Sequence, residues 1–99
     1  MFGIFKAAKQ RYQEAQTAQQ ELIVAFDAVG INFMHLDPII HHVLLKEAMA
    51  VGTEKTMERF SLFAEEVANY EGTSTEEDKA NLLREIYRAR AAEVDAMER

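Results

Sequence analysis

Ninety-nine residues with a net charge of −6 and no cysteine describe one domain without disulfides, thiolate metal sites or cysteine nucleophiles. The acidic balance argues against non-specific nucleic-acid binding, which needs Lys and Arg against phosphates, and an apolar share of 48% belongs to a folding chain rather than a disordered one. No apolar run approaches the ~20 residues of a membrane span. The opening MFGIFKAAKQR has no basic segment ahead of its apolar stretch, so it is not read as a secretion signal. A cysteine-free chain fits a reducing, cytoplasmic setting.

The first predicted helix covers about 3–29. Phe5, Ala8, Tyr12, Ala15, Gln19, Leu22, Phe26 and Val29 recur in steps of three and four, a heptad seam. Between Tyr12 and Leu22 that seam holds only small or polar residues, so this half is either closely packed through Ala15 or lightly buried. Gln19, in mid-seam, is placed to fix register between helices. Gly30 follows as a left-handed stop, with Ile31 able to fold back onto Phe26. Charge is uneven: Lys6, Lys9 and Arg11 make the first thirteen residues positive, and the remainder holds all seventeen acids against eight Lys and Arg.

GINFMHL, the next segment, is too apolar for an ordinary surface loop. Either it folds back to plug one end of a bundle or it forms part of an interface. Asp37 followed by Pro38 marks a helix start, and a second helix is expected over 38–51. It is apolar on two sides. Ile40, His41, Leu44, Leu45, Ala48 and Val51 fill one arc; Ile39, Val43 and Ala50 form a second stripe flanked by Lys46 and Glu47. Four short helices seldom cover such a helix on all sides, so a second chain is expected to do so. The candidate interface is Phe33, Met34, Leu36, Ile39, Val43, Lys46, Glu47 and Ala50.

Gly52 and Thr53 separate this helix from a third over 54–70. Met57, Phe60, Phe63, Ala64, Val67 and Tyr70 share its apolar face. Gly72 is expected to be left-handed like Gly30 and Gly52. Ser74, three residues before Glu77, reads as a capping box for a fourth helix over 75–98, whose stripe is Leu83, Ile86, Tyr87, Val94 and Met97. The fold class is all-α: a small four-helix bundle-like domain or helical hairpin assembly with long first and last helices, dimerised.

Two charges break the apolar patterns. Glu47 lies among Ile40, Val43 and Val51, and Arg90 sits within the stripe of the fourth helix. Opposite charges stranded on apolar faces invite pairing, since an unpaired buried charge costs several kcal/mol; Glu47 and Arg90 are a candidate ion pair.

The three histidines do not form a metal motif. His41 and His42 are adjacent and point ~100° apart, and no Glu-x-x-His or His-x-x-x-His spacing occurs. His41 reads as packing at the edge of an apolar arc and His42 as solvent-facing. His35, His41 and His42 remain candidates for a pH response. His35, Asp37 and His41 together form the alternative metal or ligand site.

Neither serine, Ser61 or Ser74, has a histidine near it in sequence, and no glycine-rich phosphate loop exists. The chain is therefore expected to be no enzyme, without cofactor, metal or catalytic residues. The leading expectation is a small helical protein–protein interaction module acting as a homodimer through the second helix and the 31–36 loop. The alternative is an acidic inhibitor or adaptor for a basic protein partner. Nucleic acid and membrane are not expected partners, apart from weak contact through the apolar and basic first eleven residues.

Overall fold

A computed structural model describes the backbone of residues 2–72 and 75–97, and side chains over 9–72 and 75–97. Four helices carry the chain: α1 (Phe2–Ala28), α2 (Pro38–Val51), α3 (Thr53–Asn69) and α4 (Glu76–Met97), with one 3-10 turn, Phe33–His35, between α1 and α2. Among the described residues there is no strand.

The helix ends follow from local chemistry. Gly30 takes φ +79°; its N–H donates to Asp27 O at 3.0 Å and the Ile31 N–H to Phe26 O at 2.9 Å, the bond pair of a Schellman stop. The Asp37 carboxylate accepts from the Ile39 N–H at 2.9 Å, capping α2 with Pro38 in its first turn.

Gly52 closes α2 and opens α3 at φ +95° and ψ 157°, a region open only to glycine. Its N–H donates to Ala48 O at 2.9 Å, and its carbonyl accepts from the Thr56 hydroxyl at 2.9 Å. Thr53 does not cap. It is the first residue of α3, and its hydroxyl donates instead to Glu21 of α1 at 2.7 Å.

At α4 the Thr75 hydroxyl accepts from the Asp78 N–H at 3.0 Å. That is the capping role the sequence suggests for Ser74, which lies outside the described residues. Gly72 is not left-handed. α3 has already ended at Asn69, and the Tyr70 ring lies where a β-carbon on Gly72 would be.

α2 is the central helix. It packs on α4 most extensively, and also on α3 and α1. Arg84 pairs with Asp37 near the start of α2, and Asp95 with Lys46 near its end. Those two pairs advance in the same direction, so α2 and α4 run parallel, with α3 supplying the reversal between them. The second stripe of α2 is covered in part within the chain, and Ala50 of that stripe stays exposed. The stripe turns toward α4: Val43, one turn before Glu47, is 2% exposed, and Ile39 is half-buried.

The core joins all four helices through Leu22, Phe26, Leu44, Phe60, Tyr87 and Val94. Phe60 meets the Phe26 ring edge-on at 4.8 Å, and Phe63 meets Tyr87 edge-on at 5.4 Å, the geometry aromatic quadrupoles prefer. The 31–36 segment plugs one end. Phe33 is buried between Phe26, at 5.5 Å, and the His41 ring, at 4.3 Å, whereas Met34 stays exposed.

Among the described side chains of α1, the buried ones, Ala18, Leu22 and Phe26, all lie in its C-terminal part. Tyr12 is 65% exposed and Val29 63%, although both belong to the heptad seam. The molecule measures 54 × 27 × 20 Å, with a radius of gyration of 14.9 Å, against about 13 Å for a spherical chain of this length. The long N-terminal half of α1 fits the elongation: sixteen residues before Ala18 span ~24 Å.

Candidate functional site

The charged seam between α2 and α4 holds the least expected chemistry of the molecule. Arg90 donates through Nε and Nη2 to a single oxygen, Glu47 Oε1, at 3.2 and 2.5 Å. Glu47 is 1% exposed and the Arg90 side chain 11%. Arg90 Nη1 also donates to Glu93 one turn on. Burial by itself works against the Arg90 charge, but the Glu47 and Glu93 carboxylates outweigh it and hold the guanidinium pKa above its ordinary value.

Two polar atoms here are left over. Glu47 Oε2 and the Tyr87 hydroxyl are buried with no hydrogen-bond partner. Burial raises the Tyr87 pKa and the Glu47 charge adds to the rise, so the phenol stays protonated, a donor within reach of a carboxylate field.

Two further pairs flank this one. The Asp37 carboxylate accepts from Arg84 Nε at 2.7 Å, and Lys46 Nζ lies 2.5 Å from Asp95. Burial works to raise the Asp37 pKa, yet the hydrogen bonds from Arg84 and the Ile39 amide, with the Arg84 charge, bring it below the ordinary carboxylate value. Asp37 thus serves both as helix cap and as tie to α4. The sequence signals the cap only.

A groove of about 280 Å³ opens beside the buried pair, between the end of α2, α3 and the last turns of α4. Glu47 and Arg90 line it together with apolar Val51, Leu62 and Met97, and with Lys55, Glu58 and Arg59 of α3. Those last three charges are exposed, and Arg59 lies 5.9 Å over the Phe63 ring. Sequence periodicity marks Val51 and Met97 as apolar-face residues and Glu47 and Arg90 as misplaced charges, but not that they meet with Lys55, Glu58, Arg59 and Leu62, because a groove is defined by three helices at once.

The remaining candidates fall apart spatially. Of the proposed interface residues, Phe33, Val43 and Glu47 are covered within the chain, Leu36, Ile39 and Lys46 are half-buried, and Met34 and Ala50 are exposed. His41 is half-buried against Phe33, while His35 and His42 are exposed. Among the described residues no three His, Asp or Glu side chains are grouped to hold a metal ion. Asp37, offered as a partner for His35 and His41, is engaged by Arg84 and the Ile39 amide.

No family model, curated protein or solved structure matches this chain. Among the described residues no helix is long and apolar enough to cross a membrane.

Proposed function

We propose that the chain is a non-catalytic, cytoplasmic helical interaction module that works by homodimerising through the N-terminal half of α1. The observation that carries this reading is the 65% exposure of Tyr12 on the stripe that about three to four turns later becomes core at Leu22 and Phe26. An unsupported helix of this length is marginal in water, and its apolar stripe gains most from a second helix. This reading places the contact on α1 rather than on α2 and the 31–36 loop, since Phe33, Val43 and Glu47 are buried within the chain.

Charge favours an antiparallel pairing. Lys6, Lys9 and Arg11 against Glu14 leave residues 1–17 at +2, and the rest of the chain at −8. A groove where α1 leaves α2 is lined by Gln10, Glu14, Thr17 and Glu21, with Ala48 and Met49 of α2. An antiparallel partner arm lays its cations beside Glu14 and Glu21 and its seam against Tyr12 and Ala15. Such pairs weaken with salt, whereas the apolar seam does not.

Light scattering across concentration tests the reading. Wild-type protein is expected to reach twice its chain mass, and Tyr12→Glu with Ala15→Glu to remain monomeric with unchanged helical circular dichroism. A wild-type monomer at every concentration removes the proposal. A second reading, an acidic adaptor, rests on the exposed Glu65, Glu66, Glu71 and Glu77; capture of a basic partner that fades steeply with salt is its signature.

A further inference from the structure

Attraction alone does not account for the charge pair between α2 and α4. A buried ion pair is commonly no more stabilising than well-packed apolar residues of the same volume. Here it also leaves Glu47 Oε2 buried without a partner. What such a pair supplies, and apolar residues do not, is a choice among alternative packings.

The two helices need that choice. On α2, Ile40, Leu44 and Ala48 lie on one stripe, and Ile39 and Val43 on another. On α4, Leu83, Ile86, Tyr87, Ala91 and Val94 recur turn by turn. Sliding α4 along α2 by one turn, ~5.4 Å, still sets apolar side chains against apolar ones. So does rolling α2 toward its other stripe. Apolar burial is non-directional, and it separates these arrangements weakly.

The charges separate them strongly. Glu47 is 1% exposed and the Arg90 side chain 11%, and Arg90 Nε and Nη2 both donate to Glu47 Oε1. One turn either way along α4, Glu47 would face Ile86 and Tyr87, or Glu93 and Val94. Neither neighbourhood offers a cation, and an unpaired buried charge is strongly unfavourable. Two flanking pairs mark the same register from the surface: Asp37 with Arg84 at 2.7 Å, and Lys46 with Asp95 at 2.5 Å.

We propose that Glu47 and Arg90 form a register lock: the pair fixes where α4 sits along α2 and which stripe of α2 faces it, and gives the fold uniqueness rather than stability. The lock works within one chain, so it stands or falls independently of dimerisation through α1.

The test replaces the pair by apolar residues, Glu47→Leu with Arg90→Met, in the full chain. The chain has no cysteine, so spin labels can be attached at Ala50→Cys and Ala96→Cys, both exposed and near the ends of α2 and α4. Labelled chains are mixed into excess unlabelled protein, so that the distance read lies within one chain. With Glu47 and Arg90 in place, one set of amide signals and one label distance are expected. In the double variant, helical circular dichroism is expected to persist, with doubled or broadened amide signals in α2 and α4 and a second label distance displaced by about 5 Å. A single sharp set of signals with an unchanged distance overturns the proposal. Loss of folding in the double variant overturns it as well, since the pair would then be a source of stability. Glu47→Gln with Arg90→Gln, which keeps polar side chains but removes both charges, checks the result: split signals are expected again, and one sharp set assigns the register to packing alone.

Discussion

Arg90 reaches from α4 to set two donors on one oxygen of Glu47 in α2, with Nη2 at 2.5 Å. The free energy of that arrangement lies in its balance rather than in attraction alone. Desolvating both charges is costly, and their mutual attraction roughly offsets the cost. Removing one partner leaves the other stranded. Arg90→Met is expected to destabilise by about 3–5 kcal/mol. Glu47→Leu should cost less, because Arg90 retains Glu93 and the wetter end of the seam. The double substitution is expected to recover most of the loss. Urea unfolding of the four proteins in a double-mutant cycle reads the coupling directly; additive losses would show that the pair does not act as a unit.

Asp37 links stability to pH. Its folded pKa lies below the ordinary value of 3.8, so its carboxylate is bound more tightly to its partners than the proton is. The contribution is therefore complete above about pH 5, and is lost as pH falls through 3.8 toward the lower folded value. Arg84 is 38% exposed, so solvent screening keeps the ion pair itself under ~1 kcal/mol, with the cap adding ~1 kcal/mol. Asp37→Asn retains a capping oxygen and should flatten the acid limb of a urea-midpoint profile between about pH 5 and 2. An unchanged acid limb would separate Asp37 from the acid sensitivity of the fold.

Phe33 and Met34 give a sharp contrast from neighbouring positions. Phe33 is 1% exposed and Met34 51%. Phe33→Ala is expected to cost about 3–5 kcal/mol, through lost burial and the cavity left between Phe26 and His41. Met34→Ser should stay within about 0.5 kcal/mol. Chemical denaturation of both variants decides whether the 31–36 segment is core, and equal losses would contradict the plug.

Gly52 and Gly30 differ in backbone conformation, not in what a β-carbon meets. Neither has atoms within 4 Å of that position, so the cost of alanine is conformational at both. At Gly52, with φ +95° and ψ 157°, alanine enters a glycine-only region and is expected to cost about 1–3 kcal/mol. Gly30, at φ +79°, lies nearer the left-handed helical region, where the penalty is ~1–2 kcal/mol. Thermal melts of Gly52→Ala and Gly30→Ala should rank in that order.

The arm of α1 should show its lack of support in hydrogen exchange. In dilute protein, amides before Thr17 are expected to exchange far faster than those of Leu22 to Phe26, since few packed contacts oppose local opening. Raising concentration should protect the arm selectively if two arms pair. Protection that ignores concentration would place its support within one chain.

The sequence by itself determined what short-range chemistry controls. Gly30 with Ile31, Asp37 with Pro38, and Gly52 mark helix ends through bonds made within a few residues. Periodicity likewise marks Phe60 and Val67, or Tyr87 and Val94, as one face of a helix, because burial on a helix repeats with its turn. Glu47 and Arg90 were legible as charges on the wrong faces, and the tertiary structure supplied the contact. The pattern could not say what covers an apolar face. The second stripe of α2 reads in the sequence as an interface, and only the parallel placement of α4 turns Val43 and Glu47 inward. The same limit hid the uneven burial of α1, where one continuous seam is core at Leu22 and open at Tyr12. The reason is physical: a residue's propensity is set by its neighbours in the chain, but its burial is set by helices folded back from forty or more residues away, as Asp37 with Arg84 and Glu47 with Arg90 are.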